Sequence, residues 1–514
     1  MGKIRITGMN SGLDTDAMVR ELVNAYEKQG EKYTKAKTKT EWKQEAWNTL
    51  NGKIKNFFSK SVNNMRFSSA YSKKKTTISD ASKASIVTSA GAVNGTQTLK
   101  VTGLAKTAYL TGKELTTDKS GNAVTKNTTL AQLGYTGGET TIKVGKGAYN
   151  EQTGEYESYT TTPLEIKGDM TIEEFSKQVS ALGYNANFDE GTGRFFISSK
   201  ESGVKNNFGF KAVNGDGADA LSFLGLNVTN TDNGAYKTDG SDATIELNGA
   251  KFKSATNTFS INGLTITAKE VTSETLSLVT DTDYDEIYDN VKSFLKEYNS
   301  LINEMDKLYN AKSAKGFEPL TAEEKDAMTD DEIEKWEAKI KDALLKDDAE
   351  VDNIASVMRN AMLSSFEIDG TKYSLSSFGI NTLSYFIAPE NEKNAFHIDG
   401  DKDDPDTSGN EDRLRAMIAS NPTVTADFFQ KLSQNLYDAM NKIQKNSDSY
   451  TSYGSFFSDK KLAKDLDDQG KQVTKWEEYV AKMEDKYYKQ FTAMESAMSS
   501  LQSQQSYISQ LFAG

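Results

Sequence analysis

The chain of 514 residues has no cysteine, one histidine, five prolines and four tryptophans. Without cysteine there is no disulfide, no thiolate zinc site and no Cys nucleophile. A chain of this length has little need of cross-links to stay folded. His397 alone could serve a Ser-His-Asp triad or a histidine-dependent metal site. Its setting, Ala395-Phe396-His397-Ile398-Asp399, reads as a strand running into a turn, so a structural histidine is expected. Apolar residues are scarce as well, at 36% hydrophobic with a mean hydropathy of −0.62. About 150 residues per domain gives roughly three domains, and so much polar surface predicts an elongated molecule rather than one globule. No apolar run reaches membrane-spanning length. Met1-Gly2-Lys3-Ile4-Arg5-Ile6 has neither the apolar stretch nor the small-residue cleavage site of a Sec-type signal. Ile6 stands where myristoylation requires Ser or Thr.

The net charge is −13. Such a surface repels phosphate backbones and anionic headgroups, so neither nucleic acid nor membrane insertion is expected. Lys73-Lys74-Lys75, the one three-lysine run, reads as a solvated hinge. Three acidic clusters fail as calcium loops. Asp399, Asp401 and Asp403 have an EF-hand opening, but Asp404 stands at the glycine position and Asn410 at the bidentate-Glu position. Asp281, Asp283 and Asp285 fail at Glu286 and Lys292 and read as a helix start. Asn214-Gly215-Asp216-Gly217 reads as a turn. Gly145-Lys146-Gly147 and Gly191-Thr192-Gly193 lack the third glycine of a dinucleotide loop. No cofactor, metal site or catalytic residue is therefore assigned, and a non-enzymatic protein is expected.

What is present is an uneven distribution of breakers. Of the 37 glycines, 24 lie between Gly91 and Gly263, and every proline lies between Pro163 and Pro422. The order is helix, β, helix. Asp14-Thr15-Asp16 offers an N-cap to a long helix, possible in two pieces, running to about Phe67. Met18, Leu22 and Tyr26 share one face of it, and Trp47, Leu50, Ile54 and Phe57 form a stripe that Phe58, Val62 and Met65 widen. In the middle, Asn248-Gly249 and Asn262-Gly263 each sit between alternating apolar residues, the signature of a tight hairpin. Thr98–Thr102 and Arg194–Ser198 read as strands. Thr171 and Glu174 make a capping box for a helix with Phe175, Val179 and Leu182 inward, ended by Gly183. Thr282 and Asp285 open a helix carrying Ile287, Val291, Phe294, Tyr298, Leu301, Met305 and Leu308. Capping boxes at Thr321/Glu324 and Thr329/Glu332 mark a charged insertion, and helices are expected near 351–362 and 426–443.

The last segment is the most regular. Trp476, Val480, Met483, Tyr487, Gln490, Met494, Ala497, Leu501, Gln504, Ile508 and Leu511 alternate four and three, a coiled-coil seam. It reads either as half of an antiparallel core hairpin or as a coil completed on assembly, with the two glutamines setting register. The fold class is thus α+β and multidomain. A terminal coiled-coil stem takes 1–42 and 455–514. A helical domain takes 43–69 and 282–454, with the insertion at 315–348. One β-rich domain takes 70–130 and 233–281, and a second, with one helix, takes 131–232.

Gly8-Met9-Asn10-Ser11-Gly12-Leu13-Asp14-Thr15-Asp16 resembles the start of the flagellar hook-associated protein 2, or filament cap, family. Tyr487-Tyr488-Lys489-Gln490-Phe491-Thr492-Ala493-Met494-Glu495-Ser496-Ala497-Met498, followed by Gln504-Gln505-Ser506-Tyr507-Ile508, resembles that family's C-terminal signature. Phe259–Ile266, leading into Asn290–Phe294 and Tyr298-Asn299, resembles its junction between β and helical domains. The resemblance implies paired terminal helices, inserted β domains and a homo-oligomeric ring at the tip of the bacterial flagellum. It implies flagellin, the hook-filament junction proteins, the flagellar type III export apparatus and an export chaperone as partners. It also implies a secreted, extracellular location reached without a cleaved signal. The assembly interface is expected at Leu13, Met18, Leu22, Val480, Met483, Tyr487, Met494, Leu501 and Ile508. The alternatives are a surface adhesin that binds host mucin or glycans through the β domains, and another axial protein of the flagellum.

Overall fold

The computed structural model describes residues 12–231, 233–445 and 448–512. The quoted segments Met1–Ile6 and Gly8–Ser11 lie outside the described residues. Two compact units result, one from the chain up to Tyr71 together with the chain from Tyr284 onward, the other from Ser72–Asp283.

In the first unit a helix runs from Thr15 to Asn56, and Asp14 caps it by accepting from the Ala17 N–H at 2.9 Å. It continues unbroken through a π-helical stretch, Phe57–Val62, to Met65. The wider turn of the π stretch brings Phe57, Phe58 and Val62 to the core side together. The expected stripe from Trp47 to Met65 is buried throughout. Tyr284–Tyr309 supplies the facing stripe, with Ile287, Val291, Phe294, Tyr298, Leu301 and Met305 inside. Ala349–Met362, Arg413–Ser420 and Pro422–Lys445 complete the bundle. Rings lock the layers, with Phe57 on Phe294, Phe58 on Tyr437 and Phe378 on Phe428. A fully buried side chain of this size contributes about 1.5–3 kcal/mol. Thr282 is the last residue of a strand, not a helix cap, and the helix begins at Tyr284.

The acidic loop after His397 is held by a lysine. Lys292 Nζ lies 2.6 Å from both Asp401 and Asp403. Burial alone would lower the pKa of this ammonium, but the two carboxylates raise it well above its ordinary value. Asp399 accepts from Asn381 and Asn410. His397 Nδ1 is 2.6 Å from Asp404, while its Nε2 is buried without a partner. Among the described residues no cluster of His, Asp or Glu is placed to hold a metal ion, and no helix is long and apolar enough to cross a membrane.

The second unit holds two β bodies. In the first, a five-stranded antiparallel sheet runs in the order Lys74–Ile78, Leu276–Thr282, Gly95–Gly103, Ala243–Leu247, Ala250–Ser254. It shares a core with a three-stranded sheet of Thr258–Ile261, Leu264–Ala268 and Ala84–Thr88. Both Asn-Gly turns form. Asn248 and Asn262 have φ of 50° and 46°, followed by Gly249 and Gly263 at 79° and 81°, as a type I′ turn demands. Lys74 and Lys75 open a strand, so the lysine run is not a hinge there.

The second body is inserted between Gly103 and Ala243, neighbouring strands whose near ends meet through the Lys106–Ser241 bridge. Its core runs from Ala108 to Ala235. Thr107–Thr111 pairs with Arg194–Ser202 and Tyr236–Thr238. Residues 107–130 therefore belong here and not, as the sequence suggested, with the first body. The deciding contacts are long-range strand pairs that local turn signals do not encode. Among the described residues three α-helices occur rather than one: Leu130–Leu133, Ile172–Ala181 and Gly215–Phe223. The stretch read as a turn at Asn214 is a helix N-cap, since Asn214 accepts from the Gly217 N–H. The Thr171/Glu174 capping box forms as expected. Gly145, in the strand Thr140–Asn150, leaves room for an aromatic ring, because a Cβ there would lie 2.1 Å from Cδ2 of Tyr156 and 2.2 Å from Cγ.

Gly145→Ala should destabilise the Ser72–Asp283 unit by about 1–3 kcal/mol, because the ring base cannot move without its strand. Gly215→Ala, in a helix with open space at its Cβ, should be neutral or stabilising by ~0.5 kcal/mol. Chemical denaturation of both variants checks the pair.

Candidate assembly interface

The site is the pair formed by the helix Thr15–Asn56 and the helix Asp459–Phe512. Contacts along it reverse in order, so the helices are antiparallel. Asp16 accepts from the Tyr488 hydroxyl at 2.8 Å, Gly30 meets Trp476, Lys37 meets Gly470, and Trp47 stacks on Phe457 at 4.9 Å and 3°. At the base, the chain entering the last helix is pinned twice. Phe456 N–H donates to Asn51, and Ser458 N–H and hydroxyl donate to Glu350.

The middle of the pair is an aromatic latch. Trp476 fills the notch left by Gly30, where a Cβ would lie 2.3 Å from its ring, and donates its indole N–H to the Tyr26 carbonyl at 2.9 Å. Tyr33 and Tyr479 flank that ring at 5.5 and 5.2 Å. The hydroxyls of Tyr26 and Tyr487 are 3.1 Å apart, and this hydrogen bond raises the Tyr26 phenol above its ordinary pKa. Thr15, Val19, Val23 and Gly30 are buried. They lie one residue along from the face chosen from the sequence.

Met18 and Leu22 consequently face outward, 44% and 41% exposed, and Leu13 is 45% exposed. Two apolar stripes compete on this turn of sequence, and Val19–Val23 is the one that pairs within the chain. On the partner helix, Val480, Met483, Tyr487 and Met494 are half-buried, whereas Leu501 and Ile508 are 64% and 52% exposed. The structure thus brings Tyr487 to the latch, half-buries Val480, Met483 and Met494, and leaves Leu13, Met18, Leu22, Leu501 and Ile508 exposed. The outer seam departs from the heptad as well. Gln490 is exposed and Glu495 is buried, and every residue from Ser500 to Phe512 is exposed, because the first helix begins at Thr15 and Asp16 already meets Tyr488. The sequence reading missed Gly30. Its signal was a glycine deep in a breaker-poor helical run with no cap to serve.

Gly30→Ala should therefore weaken the pairing by about 1–3 kcal/mol, even though alanine favours an isolated helix by about 1 kcal/mol. Gly52→Ala in the same helix, with nothing within 4 Å of its Cβ, should stabilise. Opposite signs in thermal unfolding, with hydrogen exchange of 19–33 and 473–487 rising only in the first variant, are expected.

Residues 240–503 match the family model described as the flagellar hook-associated protein 2 C-terminus, and residues 11–108 match that of its N-terminus. A flagellar hook-associated protein 2 of Halalkalibacterium halodurans is 23% identical over 552 residues, covering 99% of this chain and 100% of the relative. One from Thermotoga maritima is 23% identical over 359 residues, 68% of this chain and 54% of the relative. The crystal structure of the D1-D2-D3 domains of the flagellar cap protein FliD from Escherichia coli has a similar fold, with a TM-score of 0.51 at 17% identity. That match covers 82% of this chain and 99% of that one.

Proposed function

The chain belongs to the flagellar hook-associated protein 2 family, and from that membership we propose that it is a non-enzymatic cap which forms a homo-oligomeric ring at the flagellar filament tip. The ring retains exported flagellin and promotes its folding and incorporation. The further partners are the hook-filament junction proteins, the flagellar type III export apparatus and an export chaperone, and the location is extracellular. The proposed parts are a stem at 1–42 with 455–514, a helical domain at 43–69 with 282–454, and two β bodies that meet at the neck near 106 and 241.

One observation carries the assembly role. The stem uses one apolar stripe internally and leaves a second, Leu13, Met18 and Leu22, together with Leu501 and Ile508, open to solvent. Side chains of this kind gain about 1.5–3 kcal/mol each on full burial, which supports an assembled state as their proper setting. From Ser496 to Phe512 the chain has no charged residue. In a chain of net charge −13, such a segment can approach further copies, or a filament end, without like-charge repulsion. Val480, Met483, Tyr487 and Met494 complete the interface, joining the stripe that pairs inside each copy to the face that meets other copies. Ordering of the stem is then coupled to binding, and the polar β bodies make contacts weak enough to be remade as the filament grows. The adhesin alternative has no observation in its favour.

Removal of the gene should give hooks without filaments and monomeric flagellin in the medium. Normal filaments would overturn the cap role. Within the protein, Met18→Ala with Leu22→Ala should leave the stem pairing intact, as read by exchange of 473–487, while weakening self-association tenfold or more, roughly 1–2 kcal/mol per side chain in a packed interface. Analytical ultracentrifugation gives the second reading.

A further inference from the structure

The latch and the Trp47–Phe457 stack leave a stretch of stem between them with little to hold it. No residue from Glu31 to Ala46, and none from Asp459 to Lys475, is buried. The N-terminal helix presents Lys32, Lys35, Lys37, Lys39 and Lys43 over this span. Lys37 lies across Gly470 where an apolar residue would otherwise pack, and Gln469 Oε1 is buried without a partner. A seam this polar opens at low free energy.

The charged insertion sits on this same stretch. Its helices, Ala322–Asp326 and Asp330–Asp342, both begin with capping boxes, at Thr321/Glu324 and Thr329/Glu332. Glu324 carries two duties. It accepts from the Thr321 N–H at 2.7 Å and grips Lys35 Nζ with both oxygens, at 2.9 and 2.8 Å. The Lys35 side chain is largely covered, and its ammonium, with the cap, holds the Glu324 carboxyl below its ordinary pKa. Lys341 lies over the Trp42 ring at 4.6 Å. Lys43 pairs at 2.9 Å with Asp348, which caps the following helix and also faces the Trp47 indole N–H. The insertion is itself rigid. Glu337 binds Lys325 and Lys341, Trp336 donates to the Glu318 carbonyl, and Ile340, Leu344 and Leu345 are buried. Its two ends are joined by the Asp347 N–H to the Tyr309 carbonyl at 3.0 Å.

We propose that the insertion at 315–348 is a clamp on the terminal helix pair, holding the polar stretch 31–46 against 460–475 and setting how far toward the helical domain the pair can open. Opening from the outer end passes the latch when Trp476 leaves its notch. It then meets a helix fixed from the side by Glu324, Lys341 and Asp348, and stops. This role is independent of whether the protein forms a ring.

Hydrogen exchange of the full chain tests it. Glu324→Gln keeps the capping box, which glutamine also makes, and removes the ion pair. It is combined with Lys43→Met. Exposed or half-exposed pairs contribute about 0.2–1 kcal/mol each, so exchange in both 31–46 and 460–475 should rise about two- to tenfold. Exchange in 287–305 should stay as it was. The second variant, Lys35→Met with Lys43→Met, removes the contacts from the stem side and should give the same pattern without touching the insertion. Faster exchange confined to 321–342, or no change in 460–475 in either variant, would show that the insertion merely rests on the stem and would overturn the clamp.

Discussion

The register of the two terminal helices depends on a tryptophan lodged against a glycine. The Trp476 ring occupies the space that any side chain at position 30 would fill, and its indole N–H is spent on the Tyr26 carbonyl. A slip of one residue would drive the ring into Gln29 or Glu31 and cost the half-buried indole its hydrogen bond, about 0.5–1.5 kcal/mol in itself. The second fixed point, Trp47 on Phe457, lies at the base, where Asn51 and Glu350 hold the entering chain. Between and beyond these points the helices pair with few buried residues. The pair is specific in register yet loose along its length, the combination expected of a part that orders further when it binds.

That constraint also decides which apolar residues remain outside. Once the latch fixes rotation of the first helix, Val19 and Val23 must face inward, and Met18 and Leu22 must face out. The outward stripe is therefore a consequence of how the inner stripe packs. Its residues cannot be satisfied within the chain without breaking the notch. The uncharged run from Ser496 to Phe512 continues the same theme on the other helix. Its serines and glutamines keep the exposed helix soluble without adding a charge that a neighbouring copy would repel.

The features legible in the sequence were local ones. The Asn-Gly hairpins, the capping boxes at Thr171/Glu174, Thr321/Glu324 and Thr329/Glu332, the stripe from Trp47 to Met65 and that from Ile287 to Met305 each depend on residues within a few turns of one another, and each formed. The structural setting of His397 beside Asp404 was equally local. Three readings depended on distant partners and came out differently. The inward face of the first helix turned on Trp476, more than four hundred residues away. The border of the second β body turned on Thr107–Thr111 pairing with Arg194–Ser202. The outer end of the C-terminal seam turned on how far the first helix reaches: it begins at Thr15, Asp16 already meets Tyr488, and Ser500 to Phe512 are all exposed. Thr282 was placed in a helix because a capping-box pattern is short and also fits the end of a strand paired with Lys74.

The charged insertion is the clearest case of a segment whose composition misleads. Its many Lys and Glu residues mark a solvated surface, and most of its ion pairs are the exposed kind that stabilise little. What distinguishes it is placement. Glu324 and Asp348 are both helix-capping residues, so their carboxylates are already oriented when they meet Lys35 and Lys43. Side-chain entropy that a free surface pair would lose has been lost to the cap beforehand. Two modest pairs and one cation–π contact can then restrain a helix that the polar seam restrains poorly. Lys37 faces the seam while Lys35 and Lys43 hold the helix from the other side, so the weakness of the middle stem and its restraint arise from the same run of sequence.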